Sequence, residues 1–308
     1  MDAGVYRAMH DERTDLAGRL ASGVPLLLDG ATGTELERRG AVTTLPLWSA
    51  PALRDQPDLV EAIHADYVAA GADALTANTF RTQHRTLARG GWGDQAAALT
   101  KRAVALARNA AARAAPGRRV FVLGSAPTLE DCYRPDLVPD AAALAREHRE
   151  HAENLVAGGV DAILVETMNT IREAVAATRA AGEAGAALLV SFVCWKGTTL
   201  LSGEPLADAL AAVGEYAPLA LLVNCLPPSN VAPCLEVLAA SGRAFGVYAN
   251  LGEPDDVTGF SRSEDCTPDA YAAHAARWLE AGARIVGGCC GTTPEHVRAV
   301  AQRLRAAR

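Results

Sequence analysis

Three stretches of the chain read alike: AGADALTANT (residues 70–79), GGVDAILVET (158–167) and AGARIVGGCC (281–290). Each follows an alanine-rich helical stretch, turns at a glycine and runs into an apolar segment. A glycine after a helix supplies the left-handed conformation that ends it. An apolar run without alternation is what a strand buried on both faces requires. The repeated unit is therefore a helix feeding a buried parallel strand. Asn78, Glu166 and Cys289 each stand seven residues after the turning glycine, Gly71, Gly159 or Gly282. A polar or metal-capable residue thus closes each apolar run.

The same template gives eight apolar runs in all, near residues 25–29, 74–80, 119–124, 162–166, 188–193, 220–225, 244–248 and 284–287. Helical patterns lie between them, such as 94–114, 140–157 and 269–281. Thr267-Pro268 and Thr293-Pro294 suit an N-cap followed by the first helical turn. Eight strand–helix alternations predict an α/β fold, a (β/α)8 TIM barrel. A doubly wound sheet is the alternative, because eight runs do not prove closure. The residues before Val24 are expected to form an extra N-terminal helix over one end of the barrel. No interior linker, low-complexity tract or charge block marks a boundary, so residues 1–308 are expected to be a single domain.

Composition narrows the function classes. The chain has 308 residues, 50% hydrophobic and 21% charged, with a formal net charge of −7. That balance builds a large core and argues against a nucleic-acid surface. The N-terminal stretch MDAGVYRAMHDERTD has no apolar core, so no signal peptide is expected. No apolar run approaches the roughly 18 residues of a membrane helix. Seven cysteines is an odd and modest number for this length, unlike a disulfide framework. The expectation is a cytoplasmic protein acting on small molecules, with free thiols available for metal or catalysis.

Barrel enzymes place their active sites at the C-terminal ends of the strands. The residues at those ends are Asp29, Asn78, Glu166, Cys225, Asn250, Cys289 and Cys290. Neighbouring side chains in a strand point to opposite faces. Cys289 and Cys290 can therefore share one site only where the strand has ended, a turn that Gly287, Gly288 and Gly291 permit. On these residues alone, two small buried thiols in a tight turn is an equal reading. With the barrel, three thiols meet on one face, and three thiolates suit Zn²⁺ with a fourth position left open, the catalytic arrangement. A further thiol held there would be ionised at neutral pH, where a free thiol is mostly protonated, and would stay nucleophilic. Such chemistry favours alkylation of a thiol by an electrophilic methyl group. Cys132, Cys194, Cys234 and Cys266 lack that company and read as structural or incidental.

These residues resemble the zinc-dependent homocysteine S-methyltransferases, through LLLDGATGTELERRG (26–40), ALTANTF, ILVETM, LVNC, VYANLGE and GGCCGTTP. The resemblance implies methyl transfer from S-methylmethionine, S-adenosylmethionine or betaine to homocysteine, giving methionine. It implies that Cys225, Cys289 and Cys290 hold zinc. It implies that Asp29 and Glu166 bind the ammonium group of homocysteine, with the amides around Ala31, Thr32 and Gly33 near its carboxylate. Asn250 matches a residue that approaches the metal when substrate is absent. Asn78 is either a substrate contact or an anchor for a loop.

The loops after the second and third strands depart from the common family pattern, reading RTQHRT (81–86) and GSAPTLEDCYRPDLVP (124–139). A donor would approach there. Glu130 and Asp131 would add negative field for a cationic donor, and Tyr133 an aromatic face; solvated loop charges are the plainer reading of the acidic pair. The long C-terminal extension of the betaine-using branch and the folate and cobalamin modules of cobalamin-dependent methionine synthase are missing, so a sulfonium donor is expected, S-methylmethionine ahead of S-adenosylmethionine. Two other readings stand beside this one: methyl transfer to a different thiol or selenol, and a non-catalytic barrel that binds zinc or an amino acid.

Overall fold

The eight apolar runs become strands because each has two faces to bury. In the computed structural model, which describes residues 15–252 and 266–306, they form β1 (Leu26–Leu27), β2 (Ala74–Ala77), β3 (Phe121–Ala126), β4 (Ala162–Met168), β5 (Leu188–Phe192), β6 (Ala220–Asn224), β7 (Phe245–Ala249) and β8 (Ile285–Gly288). All are parallel, in the order β1-β8-β7-β6-β5-β4-β3-β2. A parallel bridge between Leu28 and Ala74 joins the first strand to the second. Backbone bonds from Asp29 N to Ala74 O (3.0 Å) and from Asp73 N to Leu27 O (2.7 Å) flank it. The sheet is thus a ring, and the (β/α)8 barrel is the fold; the doubly wound alternative falls.

Alternate residues divide between two cores. Leu26, Leu28, Ala74, Phe121, Leu123, Leu164, Leu189, Leu222 and Ile285 point inward and fill the barrel. Their neighbours Leu27, Leu75, Val122, Ile163, Val190, Leu221, Val247 and Val286 point outward and meet the apolar faces of the helices. Both faces of each strand leave water, which is why the runs lack polar alternation. Gly71 (φ 117°) and Gly159 (φ 86°) are left-handed caps of the helices Pro57–Ala70 and Ala141–Gly158. Asp140 and Thr267 cap the helices Ala141–Gly158 and Pro268–Glu280 by accepting from Ala143 N and Ala270 N.

The expected extra helix is short, Leu16–Ala21; the rest of that prediction lies outside the described residues. Leu16 inserts into the inner core. Arg19 donates to the Val24 and Pro25 carbonyls at 2.6 and 3.0 Å and pairs with Asp73 at 3.3 Å, pinning the helix across the N-terminal end of the barrel. Among the described residues no helix is long and apolar enough to cross a membrane.

Candidate active site

The thiols meet because two strands end where they do. β6 stops at Asn224, and Cys225 takes a left-handed backbone, φ 55°. A non-glycine residue there costs about 1–3 kcal/mol and persists only where the surroundings impose it. β8 stops at Gly288, and Cys289-Cys290 lie in the turn that Gly291 (φ 84°) completes. The Sγ atoms of Cys225 and Cys289 are 3.1 Å apart. Those of Cys225, Cys289 and Cys290 all lie within 4.8 Å of one another, the one such group of potential metal ligands among the described residues. Cys289 is the thiol pushed toward ionisation, because Cys225 and Cys290 hydrogen-bond to its sulfur; the same bond to Cys289 pushes the buried Cys225 thiol up.

Backbone bonds hold the surrounding loops in register: Cys289 N to Ala249 O (2.9 Å), Asn250 N to Leu226 O (3.0 Å) and Leu251 N to Cys290 O (2.9 Å). Asn250 is fully buried between these bonds, and among the described residues neither its amide oxygen nor its amide nitrogen has a hydrogen-bond partner. An unpaired buried amide is costly. Three convergent sulfurs with an uncommitted amide held by the same loops are a donor set that fits a thiophilic metal such as zinc.

The carboxylates form the second half of the site. Glu166 faces inward near the end of β4, where its oxygens accept from the Ser125 hydroxyl and from the Tyr248 hydroxyl, the latter at 3.0 Å. Burial raises its pKa to about 7; the Ser125 bond opposes the rise and Cys289 adds to it. Asp29 accepts from Thr76 N at 2.8 Å, and burial pushes its carboxyl well above the ordinary range, with Glu166 contributing in the same direction. Asp29 thus feels the charge of Glu166. A cation placed with them would offset the desolvation that both endure.

Ala31 is the N-cap residue of the helix Thr32–Arg38 and supplies no side-chain cap. Its amide donates to Thr292 Oγ1 (3.2 Å), and that hydroxyl donates to Cys289 O (2.7 Å). The Tyr67 hydroxyl lies 3.0 Å from Ala31 O and 3.1 Å from Thr292 O, tying the same two loops. Gly33 packs on Trp48 so closely that a Cβ would come within 2.1 Å of the indole.

Of the other expected site residues, Asn78 is fully occupied by Ser49: its Oδ1 accepts from Ser49 Oγ (2.7 Å) and its Nδ2 donates to Ser49 O (3.1 Å). That is the loop-anchor geometry. Glu130 is ion-paired with Arg85 (3.0 Å) and Arg89 (2.6 Å), so its charge is already balanced. Asp131 is exposed and caps Tyr133 N at 2.9 Å. Tyr133 stacks on Trp195, ring centroids 5.0 Å apart.

Sequence reasoning passed over Ser125, Tyr248, Asn224, Ser191 and Trp195. Asn224 accepts from Ser191 Oγ (2.6 Å) and Thr167 N (3.2 Å) and donates to Thr167 Oγ1 (2.9 Å). It thereby holds Thr167, the residue after Glu166, at φ 59°. Ser125, Ser191, Asn224 and Tyr248 were findable by counting period-two inward positions along each strand instead of taking only strand ends. Trp195 carried no such signal. Cys132, set aside as incidental, is buried, with its thiol pushed up to about 12, and lies within electrostatic reach of Cys289 and Cys290.

A family model described as homocysteine S-methyltransferase matches residues 26–304. A homocysteine S-methyltransferase of Escherichia coli (strain K12) is 35% identical over 295 residues, covering 90% of this chain and 94% of its own. The homocysteine S-methyltransferase YbgG of Bacillus subtilis (strain 168) is 31% identical over 299 residues, 90% of this chain and 93% of its own. The crystal structure of the homocysteine methyltransferase MmuM from Escherichia coli, in its metallated form, superposes with a TM-score of 0.79 at 31% identity, over 91% of this chain and 96% of that one.

Proposed function

Since the chain belongs to the homocysteine S-methyltransferase family, we propose that it transfers a methyl group from a sulfonium donor, S-methylmethionine ahead of S-adenosylmethionine, to the sulfur of homocysteine, with zinc at Cys225, Cys289 and Cys290. One observation carries the reading: three sulfurs gathered within 4.8 Å, in electrostatic contact through Cys289 with a buried carboxylate that neutral pH leaves only partly ionised. Zinc bound there would hold the homocysteine sulfur as a thiolate at neutral pH. Glu166 and Asp29 receive the ammonium group, and the cation draws both carboxyls toward their ionised form. Ser125, Tyr248 and the Thr76 amide fix the two carboxylates in position. The amides of Thr32 and Gly33 face the substrate carboxylate, favoured there by the positive end of the helix, while the Ala31 amide is held by Thr292 Oγ1. Asn250 would offer its amide to a metal held there when substrate is absent. The rest of the catalysis is alignment of donor methyl and acceptor sulfur.

The same reading takes the chain as a single homocysteine-binding domain in a reducing compartment such as the cytoplasm, where the thiols stay free. The test is methionine formation by the zinc-loaded protein from homocysteine with S-methylmethionine, S-adenosylmethionine or betaine in turn. Turnover with betaine and neither sulfonium would overturn the donor. Full turnover by metal-free protein would overturn the zinc. Asp29→Asn should keep zinc and weaken homocysteine binding.

A further inference from the structure

The reading above needs a group that recognises the positive charge of the donor, and the acidic pair in the loop after β3 does not serve: Glu130 is neutralised by two arginines and Asp131 is exposed. The aromatic pair beside the thiols does. Trp195, after β5, donates its indole Nε1–H to the Cys225 carbonyl at 3.3 Å. Asn230 Nδ2 donates to the Trp195 carbonyl at 2.7 Å, so both its ring and its backbone are tethered. Tyr133 stacks on it with the ring planes tilted by 38°. Both residues are partly exposed, so the pair is not sealed within the core. Burial, then Cys225 and the other nearby thiols, keeps the Tyr133 hydroxyl protonated, and the pair offers neutral π faces at the edge of an electron-rich sulfur cluster.

We propose that Trp195, backed by Tyr133, is the donor-binding residue that receives the sulfonium head of the methyl donor; this deepens the proposed function and rests on it. An aromatic face attracts a cation through its quadrupole, most strongly where water is excluded and best for tryptophan. The chemistry decides when that attraction acts. The homocysteine thiol gives its proton to solvent on ionising. A lone pair of the thiolate forms the new S–CH3 bond, and the old CH3–S bond breaks with both electrons passing to the donor sulfur. One positive and one negative charge become two neutral thioethers. The attraction is therefore strongest for the bound donor, fades through the transition state and is absent in the product. Trp195 acts on donor affinity and on release of the neutral product, so its removal should raise donor KM with little fall in kcat.

The experiment is steady-state kinetics of Trp195→Leu, Trp195→Phe and Tyr133→Leu with S-methylmethionine, varying donor and homocysteine separately and checking zinc content. Trp195→Leu should raise donor KM roughly three- to thirtyfold, leaving homocysteine KM within about twofold. Trp195→Phe keeps an aromatic face and loses the bond to Cys225, so it should fall between parent and Leu. A phenylalanine variant as impaired as the leucine one would show that the bond to Cys225 matters and would overturn the proposal. So would a parallel rise in homocysteine KM, or an unchanged donor KM in Trp195→Leu. Should Trp195→Leu fail to fold, Trp195→Phe and Tyr133→Leu carry the test: unchanged donor KM in both refutes it. A parent protein that uses no sulfonium donor refutes the functional reading itself, whereas an active parent with an unaffected Trp195→Leu refutes only the role of Trp195.

Discussion

Replacing Glu166 with glutamine separates a catalytic carboxylate from a structural one. Its pKa is raised from the ordinary 4.5 to about 7, chiefly by burial. A raised carboxyl pKa means that the folded state binds the proton more tightly than the unfolded chain. The folded state is therefore favoured below about 4.5, loses stability as pH rises from there to about 7, and bears the whole cost above it. At about 1.4 kcal/mol for each pH unit, that cost is about 3 kcal/mol, with no discount for solvent because the side chain is buried. Glu166→Gln removes the charge at nearly constant volume but places an amide N–H against one of the Ser125 and Tyr248 hydroxyls, a loss of about 1 kcal/mol. Relative to the parent, the variant should be about equally stable at pH 5, where the parent already bears about 1 kcal/mol of that cost, and more stable by about 2 kcal/mol at pH 8.5. The assay is denaturant unfolding across that range with chelator present, paired with calorimetric titration of homocysteine into the zinc-loaded proteins. Binding should weaken by about 2–5 kcal/mol, the usual cost of removing one partner of a buried charge pair. A stability difference that does not move with pH, together with unchanged homocysteine affinity, would refute the assignment.

Three further outcomes are expected. Cys225→Ser should lose both bound zinc and activity, measured by metal analysis and methionine formation, and in the parent zinc should dissociate as pH falls, because its ligands must be deprotonated. Gly288→Ala would drive a Cβ to within 2.3 Å of Thr292 Oγ1, the hydroxyl that links Ala31 N to Cys289 O; overpacking of about 1–3 kcal/mol should lower Tm and weaken zinc binding, and an unchanged Tm would show the contact to be soft. Glu130→Gln should lower Tm by unpairing Arg89 and leaving Arg85 with Glu147 alone while leaving donor KM within about twofold, and a severalfold rise in donor KM would return Glu130 to the donor site.

The barrel was legible because its cause is local. A strand buried on both faces must be apolar throughout, and a helix ending at Gly71 or Gly159 must turn there. Eight repetitions of that grammar leave few folds. The strand boundaries were less legible. β4 runs on to Met168 through Thr167 at φ 59°, a conformation imposed by Asn224 from two strands away. β1 is only two residues long, although the backbone of Leu28 and Asp29 goes on bonding to the strands on either side.

For the site, the chain by itself determined which residue types stand at the strand ends, since a carboxylate or thiol that closes an apolar run needs a partner. It did not determine what partner each has found. Asn78 and Glu166 occupy the same offset in two like segments. Tertiary structure gives one of them to Ser49, as a loop anchor, and aims the other at Ser125 and Tyr248. Glu130 looked available in the sequence, but Arg85 and Arg89 had already neutralised it, more than forty residues upstream. Trp195 drew no notice in the sequence, and the pairing of β5 with β6 brings its indole to Cys225, thirty residues on. Hydrogen bonds and ion pairs are short-ranged, and the packing of strands and loops in the barrel sets which distant groups come within that range. Local sequence can nominate the groups; pairing them takes the assembled fold.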